Sequence, residues 1–188
     1  MPPCPPPKTC APRVPLVAEA SSHPHRHRPA NKEDIMTIAQ PLAPPLRKIN
    51  PPELPRPRGY SHAVAGTGTF VFVSGQTATD HMGKVTTVGL LLQARQALRN
   101  VRTALAEAGG APEHIAQMTW YVLDVDHYRA RLKELGVVYR EVMGSHYPAM
   151  VLVEVSGLVD PAAIVEISAT AILPSGGQPL PAGSPLNP

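Results

Sequence analysis

The stretch that decides the fold is Pro148-Ala149-Met150-Val151-Leu152-Val153-Glu154-Val155, a turn from Gly157 to Pro161, and then Ala163-Ile164-Val165-Glu166-Ile167-Ser168-Ala169-Thr170-Ala171. Both halves are rich in β-branched residues, which favours two strands around the turn. Each strand holds one carboxylate among apolar neighbours, Glu154 in the first and Glu166 in the second. An ionised carboxylate in a buried strand is costly unless it is hydrogen-bonded or paired. Each glutamate is therefore either a structural acceptor or a site residue.

Proline is unevenly distributed along the 188 residues. Of the 24 prolines, sixteen precede Gly59 and five lie from Pro174 onward. This distribution predicts an ordered domain over 46–173, a disordered Pro/His-rich extension over 1–45 and a flexible Pro/Gly-rich tail over 174–188. Met36 is an alternative translation start, because nothing periodic or apolar precedes it.

Charge and cysteine content narrow the class of function. The net charge is +3, and the first 45 residues hold five basic and three acidic side chains, which leaves the remainder at +1. A nucleic-acid partner is therefore not expected. Both cysteines, Cys4 and Cys10, lie in the extension, which fits a reducing cytoplasm. No apolar run approaches the roughly 18 residues of a membrane span, so we predict a cytoplasmic protein without a membrane partner.

Alternating and β-branched patterns predict further strands ahead of the opening stretch. Residues 47–50 read as a short edge strand, where the prolines that follow do little harm. Residues 60–64 and 69–74 flank Gly66-Thr67-Gly68 and predict a hairpin. The strand around Trp120 is apolar on both faces, so we expect it to be buried on both sides, by a helix and by another subunit.

Apolar residues spaced by three and four predict two amphipathic helices. The first runs over about 87–108 and stops at Gly109-Gly110. The second begins with Asp124 or Asp126 as its cap and stops at Gly144. The elements together predict an α+β protein with a single sheet that carries two helices on one face.

Seven short segments, taken in order, resemble the RidA family of enamine and imine deaminases, also known as YjgF/UK114. They are Tyr60-Ser61-His62-Ala63, Phe70-Val71-Phe72-Val73-Ser74-Gly75-Gln76, Gln93-Ala94-Arg95-Gln96-Ala97-Leu98-Arg99-Asn100, Val122-Leu123-Asp124-Val125, Pro148-Ala149, Val153-Glu154-Val155 and Val165-Glu166-Ile167. The resemblance spans roughly 48–173. It implies a chorismate-mutase-like α+β fold and a barrel-like homotrimer with a cleft at each subunit interface. It also implies hydrolysis of reactive enamines and imines to oxo compounds and ammonia, with no cofactor and no metal.

The same resemblance implies the site residues. Glu166 matches the glutamate that orients the attacking water, Tyr60 matches a pocket tyrosine, and Ser74 and Gly75 match the strand end that lines the cleft. Met150 stands where the family has an arginine that grips the substrate carboxylate, so the chain resembles a branch without this arginine. Methionine cannot pair with a carboxylate, and each lost charge-assisted hydrogen bond is worth on the order of 1.5–3 kcal/mol. An altered substrate preference is therefore expected.

Other polar residues of the matched region are read first as structural. Glu154 is expected to accept hydrogen bonds from backbone N–H groups. His62 and His146 are candidates because histidine is suited to acid–base chemistry near neutral pH, but lone histidines more often stabilise a fold than act in catalysis.

Three classes of function remain open on the sequence. The leading interpretation is a RidA-like deaminase that acts on a small imine or enamine. The alternative is a non-catalytic trimeric protein of the same fold that binds a small metabolite. RNA cleavage, which has been described for some members of the family, is the weakest, because the domain is nearly neutral.

Overall fold

The computed structural model describes residues 46–174. The predictions for the extension over 1–45, including the start at Met36, and for the tail beyond Pro174 lie outside the described residues. The elements are β1 (Leu46–Ile49), β2 (Ala63–Gly66), β3 (Thr69–Gln76), α1 (Leu90–Glu107), β4 (Ile115–Val122), α2 (Val125–Ala130), α3 (Leu132–Met143), β5 (Ala149–Glu154) and β6 (Val165–Leu173).

The strands form two sheets. The larger sheet has four strands in the order β3-β6-β4-β5, in which β6 is antiparallel to both of its neighbours and β4 is parallel to β5. Strands β1 and β2 form a separate antiparallel pair. The α+β class is confirmed, and the expected edge strand is found as β1.

The predicted hairpin between β2 and β3 is wrong. Within 46–174, β2 pairs with β1, and β3 pairs with β6. Gly68 carries the chain from one sheet to the other, with φ at +151° and so little space that a Cβ there would overlap Leu173 O. A glycine between two strands marks a turn, but it does not fix which strands pair, because long-range contacts decide that.

The two strands of the opening stretch are both present, but they are not neighbours. Strand β4 lies between β5 and β6 and pairs with each of them. Strand β4 is buried at Ile115, Met118, Trp120 and Val122. Strand β4 is one of the two central strands, and a central strand is shielded from water by a neighbour on each side, which agrees with its apolar composition.

The helices cover one face of the four-stranded sheet. The buried side chains of α1 include Leu98, Val101 and Leu105, and α1 contacts β3, β6 and α3. The Asp124 carboxylate accepts a hydrogen bond from His127 N at 2.7 Å, which confirms Asp124 as a helix cap. The predicted second helix is interrupted at Arg131, so it comprises α2 and α3.

The opposite face of this sheet is not covered within the described chain, and we call it the open face. It carries Phe70, Phe72 and Ser74 of β3, Glu166, Ser168 and Thr170 of β6, Thr119 and Tyr121 of β4, and Val151 and Val153 of β5. Phe70 is 56% exposed and Phe72 is 77% exposed. In the single chain, Trp120 is therefore buried by the helices, whereas its neighbours Thr119 and Tyr121 remain partly exposed.

Candidate functional site

Glu166 lies on the open face, at the end of the sheet where β3 stops. Its partner in β4 is Tyr121, and both side chains are partly exposed. None of the four ion pairs found among residues 46–174 involves Glu166. The carboxylate side chain is therefore partly exposed and has no ion-pair partner in the described part of the chain.

A bulge in β3 shapes the surface beside this carboxylate. Val73 pairs with Ala169 and Gln76 pairs with Ile167, so Ser74 and Gly75 share the place opposite Ser168. Gly75 comes so close to Glu166 that a Cβ at this position would overlap Oε1 and lie 2.6 Å from Cδ. The Gln76 amide donates a hydrogen bond of 3.0 Å to Ser74 Oγ, which orients that hydroxyl.

Tyr60 and Met150 form a second group of predicted site residues. Ser61 N donates to Pro148 O at 2.8 Å, and Ser61 Oγ donates to Tyr147 O at 2.7 Å. These bonds attach the segment after Tyr60 to the beginning of β5. Ser61 also forms a parallel bridge with Ala149, the residue directly before Met150. The two residues that the family resemblance assigns to the substrate pocket thus come from adjacent segments of the chain.

Met150 and Glu166 lie on opposite faces of the four-stranded sheet. Met150 pairs with Met118, and Met118 pairs with Ala169, which are all on the face that the helices cover. Glu166 points to the other face, because side chains alternate along a strand. Within one chain, therefore, the structure groups Ser74 and Gly75 with Glu166 but separates them from Met150.

Met150 faces a groove of about 470 Å³ between α3 and the sheet, which we call the helix-side groove. It exists because α3 packs mainly on α1 and leaves the edge at β5 uncovered. It is lined by Arg58, Gly59, Trp120, Tyr128, Leu132, Lys133, Leu135, Gly136, Tyr139, Arg140, Tyr147 and Met150. Three of these residues are cationic and none is acidic.

Two tyrosines of the groove, Tyr128 and Tyr139, are held as neutral phenols. Burial raises the pKa of Tyr128, and burial together with Tyr147 raises the pKa of Tyr139 far above its usual range. The Tyr139 hydroxyl donates to His146 O at 2.8 Å, and its ring stacks on that of Tyr147 with centroids 5.3 Å apart. Tyr139 is therefore a rigid wall of the groove.

The remaining candidates have structural contacts. Glu154 Oε2 accepts a hydrogen bond of 2.7 Å from Val125 N at the start of α2. His62 Nε2 lies 2.8 Å from Pro55 O, and His146 Nε2 lies 2.7 Å from Ile115 O. Desolvation by burial lowers the pKa of His146, which favours its neutral form. Glu154 and His146 thus tie a helix end and a loop to the sheet, and His62 contacts the loop that precedes it.

Among residues 46–174, no group of three or more His, Cys, Asp or Glu side chains is placed to hold a metal ion. The helices in that range also lack the length and apolar content of a membrane-spanning segment.

Two residues of the site region, Tyr121 and Arg58, were not predicted from the sequence. Tyr121 lies beside Glu166, and the alternation of β4 points to it only once its pairing with β6 is known. Arg58 shares a groove with Met150, although 92 positions separate them in the chain, and no local pattern indicates this contact.

The sequence is similar to a known protein family. Residues 53–173 match the family model described as endoribonuclease L-PSP. A RutC family protein of Synechocystis is 32% identical over 134 residues, which are 69% of this chain and 98% of that protein.

Solved structures agree with the sequence matches. YyfB of the Rid protein family from Yersinia pestis is 30% identical, with a TM-score of 0.62 over 69% of this chain and 99% of its own. TdcF from E. coli, whose structure contains bound serine, is 25% identical, with a TM-score of 0.50 over 68% of this chain and 99% of its own.

Proposed function

Since the chain belongs to the endoribonuclease L-PSP family, which includes the RidA- and YjgF-type proteins, we propose that it hydrolyses small imines or enamines to oxo compounds and ammonia. The observation that carries this proposal is the Glu166 carboxylate, which is accessible, unpaired among the described residues and seated over Gly75. A carboxylate in this setting suits a general base that acts on water.

In the proposed reaction, Glu166 takes a proton from a water molecule as the water oxygen bonds to the carbon of the C=N group. The electron pair of the C=N double bond moves to nitrogen, which gains a proton. The amino nitrogen of the resulting carbinolamine then takes up the proton held by Glu166, and the C–N bond breaks to release ammonia. The hydroxyl loses its proton to solvent and becomes the carbonyl, and Glu166 is again a carboxylate. No electron acceptor or donor is required, because the carbon keeps its oxidation state.

We further propose that the two groups of site residues meet between subunits of a homotrimer. Glu166 and Gly75 would come from one subunit, and Tyr60 and Met150 from the next. The exposed apolar side chains of the open face support self-association, because a large uncovered apolar sheet face is unfavourable in water.

The experiment is ammonia release from an imine that an amino-acid oxidase generates in the same cuvette, with semicarbazide trapping to follow the imine. Wild-type protein should accelerate release, and Glu166→Gln should lower that rate by roughly 100-fold or more, since general-base catalysis typically contributes that much. Glu154→Gln is the matched control, because its amide oxygen still accepts the hydrogen bond from Val125 N. If wild type does not accelerate ammonia release above the uncatalysed rate, the chain is instead a binding protein for a small metabolite. Equal acceleration by wild type and Glu166→Gln would remove Glu166 from the proposed mechanism.

RNA cleavage is the activity named in the family description, and the residues that carry the present proposal do not favour it. The domain is nearly neutral, so its attraction for a phosphate backbone is weak. Incubation of the same variants with RNA would test this directly. RNA cleavage that is lost in Glu166→Gln would replace the proposed function.

A further inference from the structure

We propose that the helix-side groove binds the carboxylate of a small organic acid, and that Arg58 supplies the guanidinium that the family pattern places at position 150. This inference names the substrate class of the proposed deaminase and in that sense rests on it. Its central claim, anion binding through Arg58, can nevertheless be measured without any turnover.

The charge of the groove is the first observation. Arg58, Lys133 and Arg140 line it, and no aspartate or glutamate does. The four ion pairs found within 46–174 use Arg95, Arg99, Arg129 and Arg131, so they leave the groove cations unneutralised by described carboxylates. Three cations around one concavity create a positive potential that attracts an anion.

A buried donor is the second observation, and it is independent of charge. Trp120 is 2% exposed and lines the groove, and its indole Nε1 has no hydrogen-bond partner among the described residues. A buried N–H without an acceptor is unfavourable, and such groups call for a specific explanation. An oxygen of a bound acid is one acceptor that would satisfy it.

The size and walls of the groove fit a small molecule. About 470 Å³ lies within the range typical of ligand pockets, which are mostly apolar and carry a few well-placed polar groups. Tyr139 and Tyr147 provide a stacked aromatic wall. Gly136 of α3 also lines the groove, and because glycine has no side chain it leaves space there for a ligand.

The position of Arg58 distinguishes it from the other two cations. Arg58 precedes Gly59 and Tyr60 in the segment that Ser61 attaches to Pro148, close to Met150. Lys133 and Arg140 lie on α3 instead, across the groove. Arg58 is therefore the cation on the wall that Met150 occupies, and a planar guanidinium can hold a carboxylate through two parallel hydrogen bonds.

The test is the affinity for 2-oxobutanoate, a stable oxo acid of the kind that the proposed reaction forms, measured by titration calorimetry at low salt. Wild type should bind the acid and should bind the neutral 2-oxobutanamide at least tenfold more weakly. Arg58→Gln should weaken binding of the acid by roughly tenfold or more, which corresponds to about 1.4 kcal/mol. Arg58→Gln combined with Met150→Arg should restore most of the affinity.

Arg56→Gln is the matched control, because Arg56 is also exposed, lies two residues earlier and does not line the groove. Equal affinity of wild type and Arg58→Gln, equal affinity for acid and amide, or no binding of the acid by wild type would overturn the inference. The two proposals fail separately. If the acid binds through Arg58 but no ammonia is released, only the deaminase proposal is wrong. If ammonia is released at the same rate in Arg58→Gln, only the role of Arg58 is wrong.

Discussion

Gly75 lies directly against the carboxylate of Glu166, in a space that no larger side chain can share. The backbone of Gly75 does not have a positive φ, so its conformation is open to other residues. Glycine is required here for room, because a Cβ would lie 2.6 Å from Glu166 Cδ. The bulge of β3 thus places Gly75 against Glu166 of β6, and this contact sets the position of the carboxylate.

Gly75→Ala should displace the Glu166 carboxylate and lower ammonia release by roughly tenfold or more, since a misplaced general base loses much of its effect. The melting temperature should change little, because the displaced group is the end of a partly exposed side chain. Gly157→Ala is the control, since nothing lies within 4 Å of a Cβ there. Full activity in a folded Gly75→Ala protein would contradict the role assigned to this contact.

Phe72→Asp should dissociate the homotrimer that we propose. Phe72 is 77% exposed in the single chain and lies on the open face, where a buried unpaired charge would be costly. Light scattering should report three chains for wild type and one for the variant at micromolar concentration. Val159→Asp, in a fully exposed loop position outside the open face, should remain trimeric. A wild-type monomer, or a trimeric Phe72→Asp, would refute the assignment of this face.

Gln93→Leu should lower the free energy of unfolding by about 1–3 kcal/mol, because the buried Gln93 amide bonds three backbone groups that leucine would leave without these partners. The Gln93 amide donates to Thr87 O at 3.1 Å and to Ala162 O at 2.9 Å, and it accepts from Ile164 N at 2.9 Å. Gln96→Leu, three residues along the same helix, loses one hydrogen bond, to the side chain of Asn100. Denaturant titration should show the smaller change for Gln96→Leu, and equal changes would argue against this role of Gln93.

His146 should make the protein less stable as the pH falls. Desolvation lowers its pKa in the folded state below the ordinary value of 6.5, so the unfolded chain binds a proton that the folded chain does not. The contribution of the neutral histidine is fully present above pH 6.5 and declines as the pH falls from there toward the lowered pKa.

His146→Gln, which keeps a donor for Ile115 O, should reduce the loss of unfolding free energy between pH 7.5 and pH 5.5. Denaturant titrations of both proteins at the two pH values measure this difference. The other titrating groups are common to both proteins, so they cancel in the comparison. If the unfolding free energy of both proteins changes equally between the two pH values, His146 does not cause the pH dependence.

Local features of the fold could be predicted because local residues determine them. The three- and four-residue spacing of Leu98, Val101 and Leu105 predicts a helix wherever that helix packs. Asp124 caps α2 because its own carboxylate reaches the backbone three residues later. The family could also be identified from short segments in order, since their combination is far more specific than any single one.

The sequence by itself determined the α+β class, the positions of its main helices and strands, and the residue types available for chemistry. Only the tertiary structure decided that β3 pairs with β6 rather than β2, and that Met150 and Glu166 lie on opposite faces of one sheet. It also decided that Arg58 shares a groove with Met150. The physical reason is that periodicity follows from bonds within a few residues, whereas strand order and register follow from packing between distant segments, and a shift of one residue along a strand reverses the face of every side chain.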